Sequence, residues 1–280
     1  MKKIWAHTLV KNEERFIWFS VMSIIEHVDK VLIWDTGSTD NTVKIIQEIK
    51  RKYPNKIIFN EVGEIDIDRF TKVRQEMLNE TNSDWFLMVD GDEIWWEESI
   101  RKIIDLIKKS GNNIESIVVP TYNLVGDMYH YQEKEAGRYK LAGKFGHYNL
   151  RAINRNIPGL KSAKPHGTWG WTDGNDKMIQ DRSVKKVKFV DAPYVHATFL
   201  QRSVNAELDK NVPKRARTLK CELGDSFPLD FYYPEVFFES RPNLVLSPWR
   251  KMNKRYFAKA VTQTPLKKVK RRLIHGKVGY

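Results

Sequence analysis

At 280 residues, with 41% hydrophobic side chains that include 13 Phe, 11 Tyr and 9 Trp, the chain can bury a sizeable core. That excludes extensive disorder and allows one large α/β domain or one domain with an appended piece. A single cysteine, Cys221, excludes an intrachain disulfide and a thiolate metal cluster. The net charge of +13 is localised, because residues 241–280 hold twelve Lys/Arg and no Asp/Glu while residues 1–240 hold 36 basic against 35 acidic side chains.

Strand and helix signals alternate through the first 120 residues. Ile4 to Val10 reads as a short apolar strand, and Ile17, Val21, Ile24, Ile25 and Val28 recur at helical spacing. Val31 to Trp34 is strand-like, and Val43, Ile46 and Ile49 mark a helix with Asp40 or Thr39 as its N-cap. Ile57 to Phe59 is a third strand, Phe70, Val73 and Met77 a third helix, and Trp85 to Val89 a fourth strand. Ile100, Ile103, Ile104 and Ile107 form a helical stripe that ends near Gly111, before a fifth strand at Ser116 to Val119. This alternation predicts an α/β, doubly wound, mostly parallel sheet with helices on both faces. Beyond Pro120 the pattern weakens into an irregular half with strand-like stretches near Val187 to Val190 and Tyr194 to Phe199.

Ligands of open parallel sheets bind beyond the carboxyl ends of the strands. Asp35 closes the second strand, and "MVDGDE" puts Asp90, Asp92 and Glu93 at the close of the fourth, so both acidic sites fall on one edge. Each also reads singly as a turn residue or an acidic helix start. Three carboxylates within four positions repel one another unless a cation neutralises them, and hard oxygen ligands favour Mg²⁺ or Mn²⁺. The sequence argues against a nicotinamide-dependent enzyme, because "TLVKNEERF" stands where a glycine-rich G-x-G-x-x-G turn is needed after the first strand.

Four segments in this order, "TLVKNEERFI", "DTGSTDNT", "FTKVRQEMLNETNSDWFLMVDGDE" and, more loosely, "LRAINRNIPGL…PHG", resemble successive blocks of the family 2 glycosyltransferases. The likeness spans residues 4–96 and, weakly, 150–167. It implies a GT-A fold, a D-x-D metal motif, a nucleotide-diphospho-sugar donor with a UDP-sugar favoured, and inversion at the anomeric carbon. Carried over by residue, Leu9 and Lys11 lie in the segment that cups the base, Glu13 sits by the ribose, and Asp35 accepts a hydrogen bond from the base. Arg74, in a block usually reading A-R-N and here "VRQ", belongs near the diphosphate, and Asp90 and Asp92 are the D-x-D pair. His196, in "YVHATF", falls where many enzymes of this fold place a histidine on the metal or diphosphate; a buried structural histidine is the alternative, and His166 has a weaker claim.

The acceptor half departs from the family pattern. Related sequences often carry V-H-E where this chain reads "PHG", so Gly167 replaces a glutamate. An inverting transfer needs a base within reach of the acceptor hydroxyl, and Asp173 and Asp176 in "WTDGNDKM" are candidates, although Asp-Gly and Asn-Asp are also turn signals. Trp95, Trp96, Trp169 and Trp171 could stack on sugar faces or fill the core.

The expected organisation is a nucleotide-sugar-binding half at 1–122, an acceptor-side half of the same domain at 123–240, and a basic amphipathic tail at 241–280. In the tail, Lys/Arg alternate with Trp249, Tyr256, Phe257, Val261, Leu266, Val269, Leu273 and Ile274, and Pro265 is expected to divide it into two short pieces. This composition suits an anionic membrane surface; a solvated or partner-binding basic tail, or one packing its apolar residues on the catalytic domain, is the alternative. A glycan or lipid-linked acceptor is expected, with a cytoplasmic location, peripheral on the inner face of the membrane if the tail docks there. No run approaches the ~20 apolar residues of a membrane span. Two other readings remain: a sugar-phosphate nucleotidyltransferase, whose class wants a Gly-rich basic loop after the first strand, and a non-catalytic nucleic-acid-binding protein, whose basic face should extend across the fold.

Overall fold

A computed structural model describes residues 2–110, 113–163, 170–210, 212, 215 and 221–273. The first half follows the alternation: β1 (Ile4–Val10), α1 (Ile17–Met22), β2 (Lys30–Asp35), α2 (Thr42–Lys52), β3 (Ile57–Glu61), α3 (Ile67–Glu80) and β4 (Trp85–Met88). β1 runs parallel between β2 and β4, and β3 extends the sheet in parallel beyond β2. Successive side chains of a strand point to opposite faces. Val31 and Ile33 therefore join the core made with α1, α2 and α4 (Glu97–Lys109), while Leu32 and Trp34 meet Val73 and Met77 of α3. A run apolar at every position is what a strand covered on both faces requires.

Two local expectations shift. α1 stops at Met22, and the chain turns through residues 23–29 with Ile24, Ile25 and Val28 still buried. The N-cap of α2 is Asn41, but Asp40 does the capping work from one position earlier, its Oδ1 accepting from the Thr42 N–H at 2.9 Å.

Beyond β4 the sheet changes character. β5 (Glu93–Trp95) leaves the parallel layer, and β6 (Ser116–Asn123) does not lie beside β4. Between them stands β7 (Tyr148–Asn154), antiparallel to both. β8 (Val187–Phe189) and β9 (Tyr194–His196) run parallel to β6, and β9 carries β5 antiparallel at the far edge. The sheet is thus mixed and mostly parallel. The β7–β6 register slips between Leu150 and Ala152, a bulge at Arg151. Short ribbons, such as Tyr139–Leu141 with Lys144–Gly146, supply the rest of the irregular half.

The C-terminal segment corrects the expected division at Pro265. Lys254–Leu273 is one helix that contains the proline. Proline removes one backbone donor, and contacts with the body flank it on both sides. The Tyr256 hydroxyl donates to Glu222 O at 3.0 Å, Thr264 Oγ1 accepts from Leu223 N at 2.7 Å, and Lys268 lies 3.3 Å from Glu133 and 3.2 Å from Asp225. Arg271 bridges Glu133, at 2.6 Å, and Glu222. Ile274 lies outside the described residues. None of the described helices is long and apolar enough to cross a membrane.

His7 in β1 stacks on Phe86 at 4.5 Å and shares a 2.6 Å hydrogen bond with Thr81 Oγ1. Burial, with smaller contributions from Arg74 and Arg155, lowers its pKa from the ordinary 6.5 to about 3. The folded state therefore binds fewer protons at this site than the unfolded chain, so stability is full above 6.5 and falls as pH drops from there towards 3. Each pH unit in that window costs about 1.4 kcal/mol. Urea unfolding at pH 7 and pH 5 should show the wild type losing about 2 kcal/mol more than His7→Gln, which keeps a hydrogen-bonding group and does not titrate. Equal losses would mean that His7 is solvated in the fold and takes up its proton there as it does in the unfolded chain.

Candidate active site

The carboxyl ends of β1, β4 and β9 converge on a cleft of about 490 Å³. Of the residues singled out in the sequence, Leu9, Lys11, Glu13, Arg74, Asp90, Asp92 and His196 line it. Asp35 stands at the same edge with Thr36 rather than its own side chain on the cleft wall. Its Oδ2 accepts from Gly37 N and Ser38 N, each at 2.9 Å, while its Oδ1 is buried and has no hydrogen-bond partner. The turn reading therefore describes one oxygen of Asp35 and leaves the other for a further donor. Gly37, at φ +85°, adopts the left-handed conformation that makes this tight turn inexpensive.

The turn after β4 is fixed from three sides. Ser20 Oγ donates to Asp90 O at 2.8 Å, Ala197 N donates to Asp92 O at 2.9 Å, and Gly91 passes so close to Glu13 that a Cβ there would meet its Cγ at 2.9 Å. Asp92 is fully buried, and neither of its oxygens receives a well-directed hydrogen bond. Its charged neighbours are Arg202 Nη2 at 3.0 Å and His196 Nε2 at 3.4 Å, both measured to Oδ2. Burial alone would raise the Asp92 carboxyl, but Arg202, His196 and Arg215 outweigh it and hold it well below the usual range. Burial would likewise lower His196, and Asp92 and Glu93 reverse this, so its pKa is raised.

Behind this pair lies a buried polar network. The bulge at Arg151 aims its guanidinium at Asp90 Oδ2, 3.2 Å away, and at Glu93. The Tyr194 hydroxyl donates to Glu93 Oε1 at 2.9 Å, and Asn149 Nδ2 donates to that hydroxyl at 2.6 Å. Burial pushes Glu93 up to about 7 despite Arg151. On the other side Glu13 pairs with Arg202 at 2.8 Å and with Arg215, and burial still pushes it up to about 7. Asp90, Glu93 and His196 each bring one ligand atom within 4.8 Å of the others. Two carboxylates and an imidazole are a donor set that suits a hard divalent cation.

Arg74 lies over the Trp171 ring at 4.5 Å, and both line the cleft. Trp95 is buried against Tyr194 at 4.6 Å, and Trp96 is half-buried with its Nε1 donating to Tyr232 O at 2.9 Å. His166, Gly167 and Trp169 lie outside the described residues. The placement of Asp173 and Asp176 does not suit the role of base. Asp173 Oδ1 accepts from Asn175 N at 2.9 Å and Lys177 N at 3.0 Å, and its other oxygen is paired with Arg182. Asp176, at φ 60°, pairs with Lys161 at 2.7 Å. Neither lines the cleft, and the turn signals in "DGND" account for both.

Sequence reasoning missed Arg151, Arg202 and Arg215. Arg151 lay within the quoted "LRAIN" block, and Arg202 follows His196 by one short loop, but Arg215 sits in "KRAR", which reads as a solvated basic run.

The chain belongs to the glycosyl transferase family 2, whose model matches residues 7–164. Its mixed, mostly parallel sheet is the expected GT-A-type arrangement. Over 119 residues it is 31% identical to a dTDP-rhamnosyl transferase, RfbG, of Shigella flexneri, covering 40% of each chain. Over 93 residues it is 32% identical to an uncharacterized glycosyltransferase of Rickettsia felis, covering 33% of this chain and 30% of the relative. The chain therefore spans less than half the length of these curated relatives. Among solved structures it is similar to the Mycobacterium tuberculosis glucosyl-3-phosphoglycerate synthase in complex with Mn²⁺ and UDP-glucose, at 16% identity and TM-score 0.44 over 70% of this chain and 71% of that one. It is also similar to S. aureus TarS, at 13% identity and TM-score 0.45 over 71% and 37%.

Glu93 is fully buried, and Arg151 is the cation beside it. Removing one member of such a pair strands the other charge and costs about 3 to 5 kcal/mol. Arg151→Met should therefore lower the urea unfolding free energy by that order, and the double variant Arg151→Met/Glu93→Gln should recover part of the loss. Additive losses in the two single variants would show that the pair is not coupled.

Proposed function

We propose that the protein transfers a sugar with inversion from a nucleotide-diphosphate donor, a UDP-sugar favoured, to a glycan or lipid-linked acceptor, assisted by Mg²⁺ or Mn²⁺. The observation that carries this reading is the fully buried Asp92 carboxylate, which no well-directed hydrogen bond reaches and which faces Arg202 at 3.0 Å and His196 at 3.4 Å. Asp92, His196 and Asp90 would hold the cation, which when bound supplies Lewis-acid neutralisation of the diphosphate charge. Leu9 and Lys11 would cup the base, Asp35 would use its unpartnered Oδ1 on a base N–H, and Glu13 would sit by the ribose. Arg74, oriented by the Trp171 face, would take a phosphate oxygen of the departing nucleotide through its planar fork. In this reading residues 1–122 form the donor half and 123–240 the acceptor half, with Arg202 and Arg215 reaching back from the second half to neutralise Glu13.

Calorimetric titration with UDP, with and without Mn²⁺, separates these roles. Asp92→Asn should abolish the Mn²⁺-dependent part of nucleotide binding and sugar transfer while the far-UV spectrum stays unchanged. Asp35→Ala should weaken UDP by about ten- to a hundredfold, the value of one hydrogen bond to a charged group, and leave Mn²⁺ affinity alone. Wild-type transfer and metal dependence in Asp92→Asn would remove the metal from the reading.

The same reading places the exposed face of the C-terminal helix on an anionic membrane, where a lipid-linked acceptor would be met. Phe257, Val261, Leu266, Val269 and Leu273 are exposed on this helix, and Lys254, Arg255, Lys259, Lys270 and Arg272 are interleaved with them in a segment that has no acidic residue. Cations near an anionic leaflet contribute about 1 kcal/mol each, and apolar groups add burial at the headgroup boundary. Flotation with vesicles containing phosphatidylserine should recover the wild type. Leu266→Ser/Val269→Ser/Leu273→Ser, at exposed positions, should be recovered several-fold less with UDP binding unaltered; equal recovery at low salt would overturn the docking.

A further inference from the structure

A second cavity, of about 320 Å³, lies between the segment Phe199–Gln201, the turn Gly126–Met128 and the chain from Ser247 to Tyr256. One short loop separates it from the donor cleft: Thr198 and Arg202 line the cleft, and Phe199, Leu200 and Gln201 line the second cavity. Much of its wall is apolar, with Phe16, Met128, Leu200 and Met252.

Its charged groups are Asp127, Lys251, Arg15 and Arg250. Asp127 is buried and engaged, with Oδ1 taking Tyr129 N at 2.9 Å and His130 Nδ1 at 2.6 Å, and Oδ2 taking Met252 N at 3.0 Å. Lys251 sits over the Tyr129 ring at 5.7 Å. The two guanidiniums are different. Arg15 Nε donates to Ser203 O at 3.3 Å, and among the described residues no carboxylate is within ion-pair distance of Arg15 or Arg250. The undescribed residues contain no Asp or Glu. Both arginines also line the adjoining opening by Val204 and Leu246; burial and then the Arg250 charge lower the Arg15 pKa, against a smaller opposing pull from Glu14 and Asp209, neither of which is within ion-pair distance. Elsewhere in this fold Arg151, Arg202 and Arg215 each meet carboxylates. Two like charges held at one apolar cavity without an acid between them repel each other, and a dianion placed between them turns that repulsion into attraction.

We propose that this cavity binds an organic phosphate monoester, with the phosphate between Arg15 and Arg250 and the organic group against Phe16, Met128 and Leu200. A phosphate offers two charges and three acceptor oxygens to two planar forks, which a monocarboxylate does not.

Cys221 lines the cavity and is the sole cysteine of the chain, so its reaction with a thiol reagent reports occupancy without any measurement of transfer. Hexyl phosphate should slow that reaction saturably, by about tenfold or more at saturation; 1-hexanol should not, and inorganic phosphate should act only at higher concentration. UDP with Mn²⁺ should leave the rate unchanged, which separates this cavity from the donor cleft. Arg15→Gln and Arg250→Gln should each raise the half-protecting concentration of hexyl phosphate by about ten- to a hundredfold. Arg250 is exposed, so its variant keeps the test readable if Arg15→Gln does not fold. Dodecyl phosphate held in phosphatidylcholine vesicles tests the lipid source against the soluble one; protection by either supports the site and assigns its source. No saturable protection by either ester, protection that survives Arg250→Gln unchanged, or equal protection by UDP would overturn the proposal.

Discussion

Glu13, Asp92 and Glu93 are among the carboxylates buried at one edge of the sheet, and both halves of the chain contribute the groups that meet these three. An isolated carboxylate in an apolar interior costs more than a domain of this size has in net stability. Each must therefore be met by a cation, and the cations come from distant parts of the chain: Arg151 from the bulge in β7, His196 from the end of β9, Arg202 and Arg215 from the segments that follow. The second half of the chain is consequently bound to the first by charge as well as by apolar packing. Arg151 reaches Asp90 and Glu93 from β7, the strand next to β4.

The parallel half was legible in the sequence because its signals are local. Apolar runs of strand length, helical stripes between them and acids at the strand ends all survive without knowledge of the partner strand, and so Asp35, Asp90, Asp92 and Glu93 could be placed on one edge; Glu13 and Arg74 joined them only through the family resemblance. The pairing of β7 was not legible. An antiparallel strand inserted between β4 and β6 is chosen by side-chain fit on both neighbours, and the apolar letters of "NLRAIN" carry no address. Arg202 and Arg215 were hidden for a related reason: an arginine that neutralises a buried acid and one that is solvated are the same letter, and only the fold brings Glu13 to them. Asp173 shows the converse. Its Asp-Gly context signalled a turn, and the turn with Arg182 is what uses its oxygens.

Asp35 holds an intermediate position. Its backbone-facing oxygen is spent on the Gly37 and Ser38 N–H groups, as any Asx turn would use it, and this orients the carboxylate so that the second oxygen is fixed and buried. In the proposed reading the turn residue also serves the ligand: the local hydrogen bonds remove the rotamer entropy that a ligand contact would otherwise have to overcome.

The loop Thr198–Val204 shows how far electrostatics sets the shape of the site. Arg15 N donates to Arg202 O at 3.1 Å, so the backbone of the loop is tied to the start of α1, while the Arg202 side chain crosses to Glu13 and Asp92. Glu14 reinforces the tie by accepting from Ser203 Oγ at 3.0 Å. Three consecutive residues, Glu13, Glu14 and Arg15, thus grip one loop from its two sides. Leu200 anchors the loop in the apolar core, and Arg202 adds planar, multiply bonded guanidinium geometry, which a lysine at 202 would not reproduce although it would keep the charge. The cleft wall is therefore as rigid as its charge pairs, and a new charge brought to either side of the loop acts on a structure already held by charge.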